Sequence, residues 1–169
     1  LFVKKSKFRN ILNINGKKKI IFLASSFVWA DVETKNWEKD FFYVDLSRAE
    51  AEKLVNTVNS IREKTVKVIT DLLIQHPDWH LVHKKHPMEK VDYHQEIRRK
   101  TSQVSFAHGT GIYDLITNCD LMIHWNSTTA IQAWEMEKPS ILINFEEGKY
   151  ITDQFVADFS DYTKGNFVV

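Results

Sequence analysis

Two short stretches of this chain hold side chains suited to gripping an anion. The first is His86-Pro87 with Glu89 close behind; the second is Asn126-Ser127-Thr128-Thr129. In the second, an amide and three hydroxyls run into a predicted helix start, where unpaired backbone N–H groups and the helix dipole favour negative charge. A phosphate or diphosphate would be held there by backbone donors and hydroxyls together. The ordinary reading is that Ser127 or Thr128 caps the helix, and the two roles can coexist. Glu135 follows Thr128 by two turns, near the same helix face, where a carboxylate can accept from sugar hydroxyls or simply sit in solvent. The imidazole of His86 can donate to a phosphate oxygen or protonate a leaving group near neutral pH; it can equally be a hydrogen-bonded loop histidine.

Other chemistries are disfavoured. His76, His80, His83 and His86 suggest a metal set, but a strand through them sends His83 to the face opposite His80 and His86. Cys119, between Asn118 and Asp120, reads as a small buried residue rather than a nucleophile. His108-Gly109-Thr110-Gly111 lacks the third glycine of a dinucleotide loop, and neither a P-loop nor a Gly-x-Ser-x-Gly elbow occurs. No metal and no cofactor are expected.

The elements that must position these residues follow from hydrophobic pattern. Lys19 to Ala24 is a short apolar run fitting a buried parallel strand. Ser25 to Asp45 mixes aromatics with charges without a period and reads as a long loop, its Trp29–Tyr43 part an alternative protein or membrane contact. Ser47-Arg48-Ala49-Glu50 is a capping box. From it a helix with Ala51, Leu54, Val55, Val58, Ile61, Val68, Ile69, Leu72 and Leu73 on its apolar positions runs to Gln75, stopped by Pro77. Further strands are expected at Trp79–Lys84, Val104–Ala107, Leu121–Trp125 and Pro139–Asn144. Helices are expected on the surface between Glu89 and Lys100, over Ile112–Thr117, and from the 126–129 stretch through about Glu137. Strands alternating with helices predict an α/β, doubly wound, Rossmann-like layer with a mainly parallel sheet. Ligands of such sheets bind beyond the carboxyl ends of the strands.

Composition bounds the rest. The chain has 169 residues, 43% hydrophobic and 27% charged, enough for a packed core. With 23 Lys plus Arg against 22 Asp plus Glu, it lacks the chain-wide basic field of a nucleic-acid binder. One cysteine excludes an intramolecular disulfide framework. No apolar run reaches the ~20 residues of a membrane span, and no secretory pattern follows the basic start, so a cytoplasmic setting is expected. Lys4, Lys5, Lys7 and Arg9 read as a solvated tail, or as a peripheral contact with an anionic membrane. Residues 1–17 are thus a basic lead segment and 18–169 the folded lobe. The ends at Leu1 and Val169 read as cuts.

Val82 to Glu89 and Asn118 to Ile141, quoted in sequence as VHKKHPME and NCDLMIHWNSTTAIQAWEMEKPSI, resemble the C-terminal, donor-binding lobe of GT-B glycosyltransferases that build bacterial surface polysaccharide. The likeness is closest to capsule and surface-carbohydrate biosynthesis proteins. It extends more loosely to sialyl- and Kdo-transferases, CDP-dependent teichoic-acid polymerases and UDP-N-acetylglucosamine 2-epimerases. It covers about Lys18 to Asn144. The resemblance implies a nucleotide-sugar site, UDP- or CMP-linked: His86 on the donor phosphate, Ser127 and Thr128 on phosphate with Thr129 behind them, Glu135 on the ribose, and backbone around Gly111 to Tyr113 framing the base. Gln132 and Ala133 stand where epimerases carry paired acidic residues, which weighs against that activity. The lobe that binds the saccharide acceptor, with its catalytic base, has no room in this sequence, so no catalytic base is named. The other readings are an epimerase or CDP-alcohol phosphotransferase lobe, and a non-catalytic nucleotide-binding or interaction module.

Overall fold

The computed structural model describes residues 2–33, 35, 46–89, 94–125, 127–143, 145–149 and 151. Five parallel strands form one sheet in the order β3-β2-β1-β4-β5. They are β1 (Lys19–Ala24), β2 (Trp79–Lys84), β3 (Val104–Phe106), β4 (Leu121–His124) and β5 (Ser140–Leu142). The helices are α1 (Lys5–Ile11), α2 (Arg48–Gln75), α3 (His94–Lys100), α4 (Ile112–Asn118) and α5 (Thr129–Glu135), with a 3₁₀ turn at Glu146–Gly148. The architecture is the expected α/β, Rossmann-like one.

Strand alternation builds two cores, one on each face of the sheet. Ile21 and Leu23 of β1 face the α2 side with Leu81 and Ile123. Ile20, Phe22 and Ala24 face the other side, with Val82, Met122 and residues of α1, α4 and α5. Helix α2 starts where the capping box predicts: Ser47 Oγ accepts from Glu50 N–H, and the Glu50 carboxylate accepts from Ser47 N–H at 2.8 Å. Its buried stripe runs through Leu54, Val58, Ile61, Val66, Ile69 and Leu73, while Val68, an expected apolar position, points outward. His76 then ends the helix before Pro77. Helix α5 is shorter than its expected end at Glu137. That residue has φ 54, a left-handed turn more usual for glycine that closes the helix and turns the chain toward Pro139.

The basic lead segment is not the solvated tail its lysines suggest. Residues 5–11 are helical, and Phe8, Leu12 and Ile14 are buried against the sheet. Its anchors are acids and amides of later elements. Asp114 accepts from Val3 N–H at 2.8 Å, Asn118 donates to Val3 O at 3.0 Å, and Asp120 takes Lys5 on one oxygen and Ile20 N–H on the other, both at 2.7 Å. Burial of apolar residues between the lysines, invisible to a charge count, decides the outcome. The other differences lie at strand ends: β3, β4 and β5 are each shorter than expected. The expected surface helix between Glu89 and Lys100 is described over His94–Lys100, residues 90–93 lying outside the described residues, and Ile97 within it is fully buried. Of the long loop after β1, residues 34 and 36–45 lie outside the described residues. Its described start is not loose, since Phe27, Ala30 and Val32 are buried. Among the described residues, no helix is long and apolar enough to cross a membrane.

A strand-edge candidate site

Strands β1 and β4 are neighbours although α2, β2, α3, β3 and α4 intervene, so the strand order reverses between them. At such a switch point the loops after two adjacent strands diverge and leave a crevice beyond their carboxyl ends. Register fixes its floor. Ala24, the last residue of β1, lies between Lys84 of β2 and His124 of β4. Ser25 and Ser26 follow β1, His86 follows β2, the 108–111 turn follows β3, and Ser127 follows β4.

His86 is partly exposed, and its Nδ1 accepts from Met88 N–H at 3.2 Å. An accepting Nδ1 carries no proton, so the proton of the neutral ring sits on Nε2, which remains a donor. Burial holds the imidazole below its ordinary pKa, so it is a neutral donor at pH 7. With Lys85, Phe106, His108 and Gly109 it lines a cleft of about 180 Å³. That is below the ~300 Å³ of a whole small-molecule pocket, and suits one phosphate or ring fragment. Lys84 donates to Thr110 O at 2.7 Å and ties down the neighbouring turn, in which Gly109 takes φ 70.

At the end of β4, Ser127 is nearly buried and its Oγ accepts from Thr129 N–H at 3.3 Å. Ser127 thus takes the first amide of α5 from one position before the N-cap, and Thr128, the exposed N-cap residue, makes no side-chain cap. Asn126 lies outside the described residues. The ends of β2 and β4 are two strand spacings apart, about 10 Å, roughly the length of a nucleotide. His86 and Ser127–Thr129 therefore stand at strand ends on either side of β1, while the cleft that His86 lines opens on its β3 side. Gly111 and Tyr113 lie beyond the end of β3, on the His86 side; Gly111 precedes α4 and Tyr113 is half-exposed.

Glu135 is not brought to that edge. It is the last residue of α5 and exposed. A helix joining two parallel strands runs back toward their amino ends, which carries Glu135 about 9 Å away from the start of α5. Gln132, only one turn in and partly buried, is the nearer polar group.

Two features escaped sequence reasoning. Ser25-Ser26, directly after the β1 run, was absorbed into the loop; two hydroxyls after an apolar strand were the available signal. Glu89 is buried, which its place in a charged stretch concealed. His83 and His80 do part as the strand pattern requires. The Nε2 of His83 contacts Ser25 Oγ at 3.0 Å, while that of His80 contacts Ser105 Oγ at 2.8 Å, on opposite sides of the sheet. Cys119 is buried, its thiol pushed up to about 11 by burial, as an inert core residue requires.

The fold and crevice define a Rossmann-like lobe with its polar groups gathered at the carboxyl edge. Residues 34–145, more than half the chain, match the family of capsule polysaccharide biosynthesis proteins, and the chain belongs to that family. A role in capsule biosynthesis goes with it. Among solved structures the chain is similar to Thermosulfurimonas dismutans KpsC, a beta Kdo 2,7 transferase, at 13% identity and a TM-score of 0.40. The match covers 82% of this chain and 41% of that one. No curated protein matches the chain in sequence.

Proposed function

We propose that the chain is the donor-binding lobe of a GT-B-type glycosyltransferase of capsule biosynthesis, which holds a UDP- or CMP-linked sugar at the strand edge in a cytoplasmic setting. Family membership supports the pathway. The observation that carries the site is His86: its Nδ1 is occupied by Met88 N–H, so Nε2–H is the atom left to donate from the cleft lining. The hydroxyls of Ser127 and Thr128 are the donors offered from the start of α5, whose own first amides bond within the chain. Oriented donors of this kind stabilise charge as it builds on a leaving phosphate, without proton transfer from the lobe itself. The saccharide acceptor and the base that activates it belong, in this reading, to a partner lobe. Glu135 has no part in it.

Calorimetric titration with UDP, CMP and CDP tests the reading. One nucleotide should bind with micromolar affinity, and His86→Ala and Ser127→Ala should each weaken it by roughly tenfold, the loss of about one hydrogen bond to a charged group. No binding by any of the three, or binding indifferent to both substitutions, contradicts it.

A further inference from the structure

The carboxylate of Glu89 is only 4% exposed, beside Ser25 at 4% and His83 at 1%. Burying a carboxylate is costly unless hydrogen bonds compensate. Both of its oxygens are engaged by the turn after β1. The Ser25 hydroxyl donates to Oε2 at 3.0 Å, and Phe27 N–H donates to Oε1 at 2.7 Å. A serine has one hydroxyl proton, so the contact with Ser25 Oγ is donated by His83 Nε2–H. The backbone of Glu89 grips the other turn, its N–H donating to His86 O at 3.0 Å. Inside that turn Met88 N–H holds His86 Nδ1. One residue thus clamps the turn after β1 with its side chain and the His86 turn with its main chain.

We propose that Glu89 is a positioning residue that sets the place and tautomer of His86 by locking the turn after β2 onto Ser25 and Phe27. The inference rests on the proposed function only for what His86 contacts; the clamp itself is independent of any ligand. A residue that merely filled space would leave Ser25 O–H and Phe27 N–H without their acceptor. The carboxylate also draws on burial for rigidity, because a hydrogen bond shielded from water has few competitors.

The test is the imidazole ¹⁵N spectrum of His86 in the full chain, recorded alongside titration with UDP, CMP and CDP. The unsubstituted chain should show an unprotonated, accepting Nδ1 and a protonated Nε2. Glu89→Gln keeps an oxygen for Phe27 N–H and an amide for Ser25 Oγ, and should preserve both the spectrum and the affinity for the nucleotide that binds. Glu89→Ala should average the two nitrogens toward exchanging tautomers and weaken binding of that nucleotide by roughly tenfold, the scale of a small misplacement of a binding group. Glu89→Asp, too short to reach both turns, gives the same readout should the alanine variant not fold. Leu73→Ala, a core truncation in α2, lowers stability and should leave the His86 spectrum unchanged. An unmoved His86 spectrum in both Glu89→Ala and Glu89→Asp overturns the proposal, whatever happens to nucleotide binding. A moved spectrum in a chain that binds no nucleotide upholds the clamp and defeats the functional reading alone.

Discussion

Acidification from pH 7 to about pH 4 should destabilise the chain by several kcal/mol and bring it close to unfolding. His80 and His124 are 5% and 1% exposed, and burial lowers each imidazole from 6.5 to about 4, with Lys18 and Arg9 adding to the effect at His80. In the folded chain both stay neutral until about pH 4. In the unfolded chain both take up protons as pH falls through 6.5. The unfolded state therefore binds more protons in that window, and stability drops as pH falls across it and levels off below. Each ring contributes on the order of 3 kcal/mol, set against a total near 5–15 kcal/mol for a domain. Glu89 acts in the opposite sense. Burial raises its pKa, so its contribution is greatest below the unfolded value of 4.5 and is lost as pH rises through the folded one. It offsets a part of the histidine effect. Urea midpoints from pH 7 to pH 4 check this, and His124→Gln should flatten the slope by about half. A midpoint constant across that range would contradict it.

Replacing Trp125 by alanine should cost about 3–5 kcal/mol, the usual range for emptying an aromatic site in a core. Trp125 is 2% exposed and stacks on Phe27, with ring centroids 5.0 Å apart and planes 13° from parallel. The pair joins the residue that precedes the 126–129 stretch to the loop after β1, so it holds the two walls of the crevice together. Trp125→Phe keeps the stack. It also removes an indole N–H that has no hydrogen-bond partner among the described residues, and its cost should stay under about 1.5 kcal/mol. Denaturation midpoints of the two variants decide the matter; equal losses would show that the stack is not what the position supplies.

The strands and the long helix were legible because their signals are local. Ile20-Ile21-Phe22-Leu23 is apolar throughout, as a strand covered on both faces must be, and Ser47 with Glu50 marks the start of α2 through its own hydrogen bonds. The crevice was legible in part, because the residues that end β2 and β4 follow from strand boundaries alone. What sequence could not give was pairing at a distance. Lys4 to Arg9 look solvated until Phe8 is seen packed on the sheet and Asp120 found under Lys5. Glu89 stands out in sequence only as a neighbour of His86, and its burial under Ser25 and Phe27 is set by residues more than sixty positions away. Glu135 shows the converse failure: helical spacing put it near the face of Thr128, but the direction of α5 carries it down the sheet. Spacing along a helix fixes the face, not the height above the site.

Ligand phosphate is expected beyond the carboxyl ends of β1, β2 and β4. Mapping backbone amide shifts of the ¹⁵N-labelled chain during addition of UDP, CMP and CDP in turn is the direct test. The predicted changes with the nucleotide that binds fall at Ser25 and Ser26, at His86 and Met88, at His108 to Gly111, and at Ser127 to Thr129, and they weaken in parallel when His86 is replaced. Changes confined to the opposite edge, around Lys5 and Asp120, or no changes at all, would contradict it.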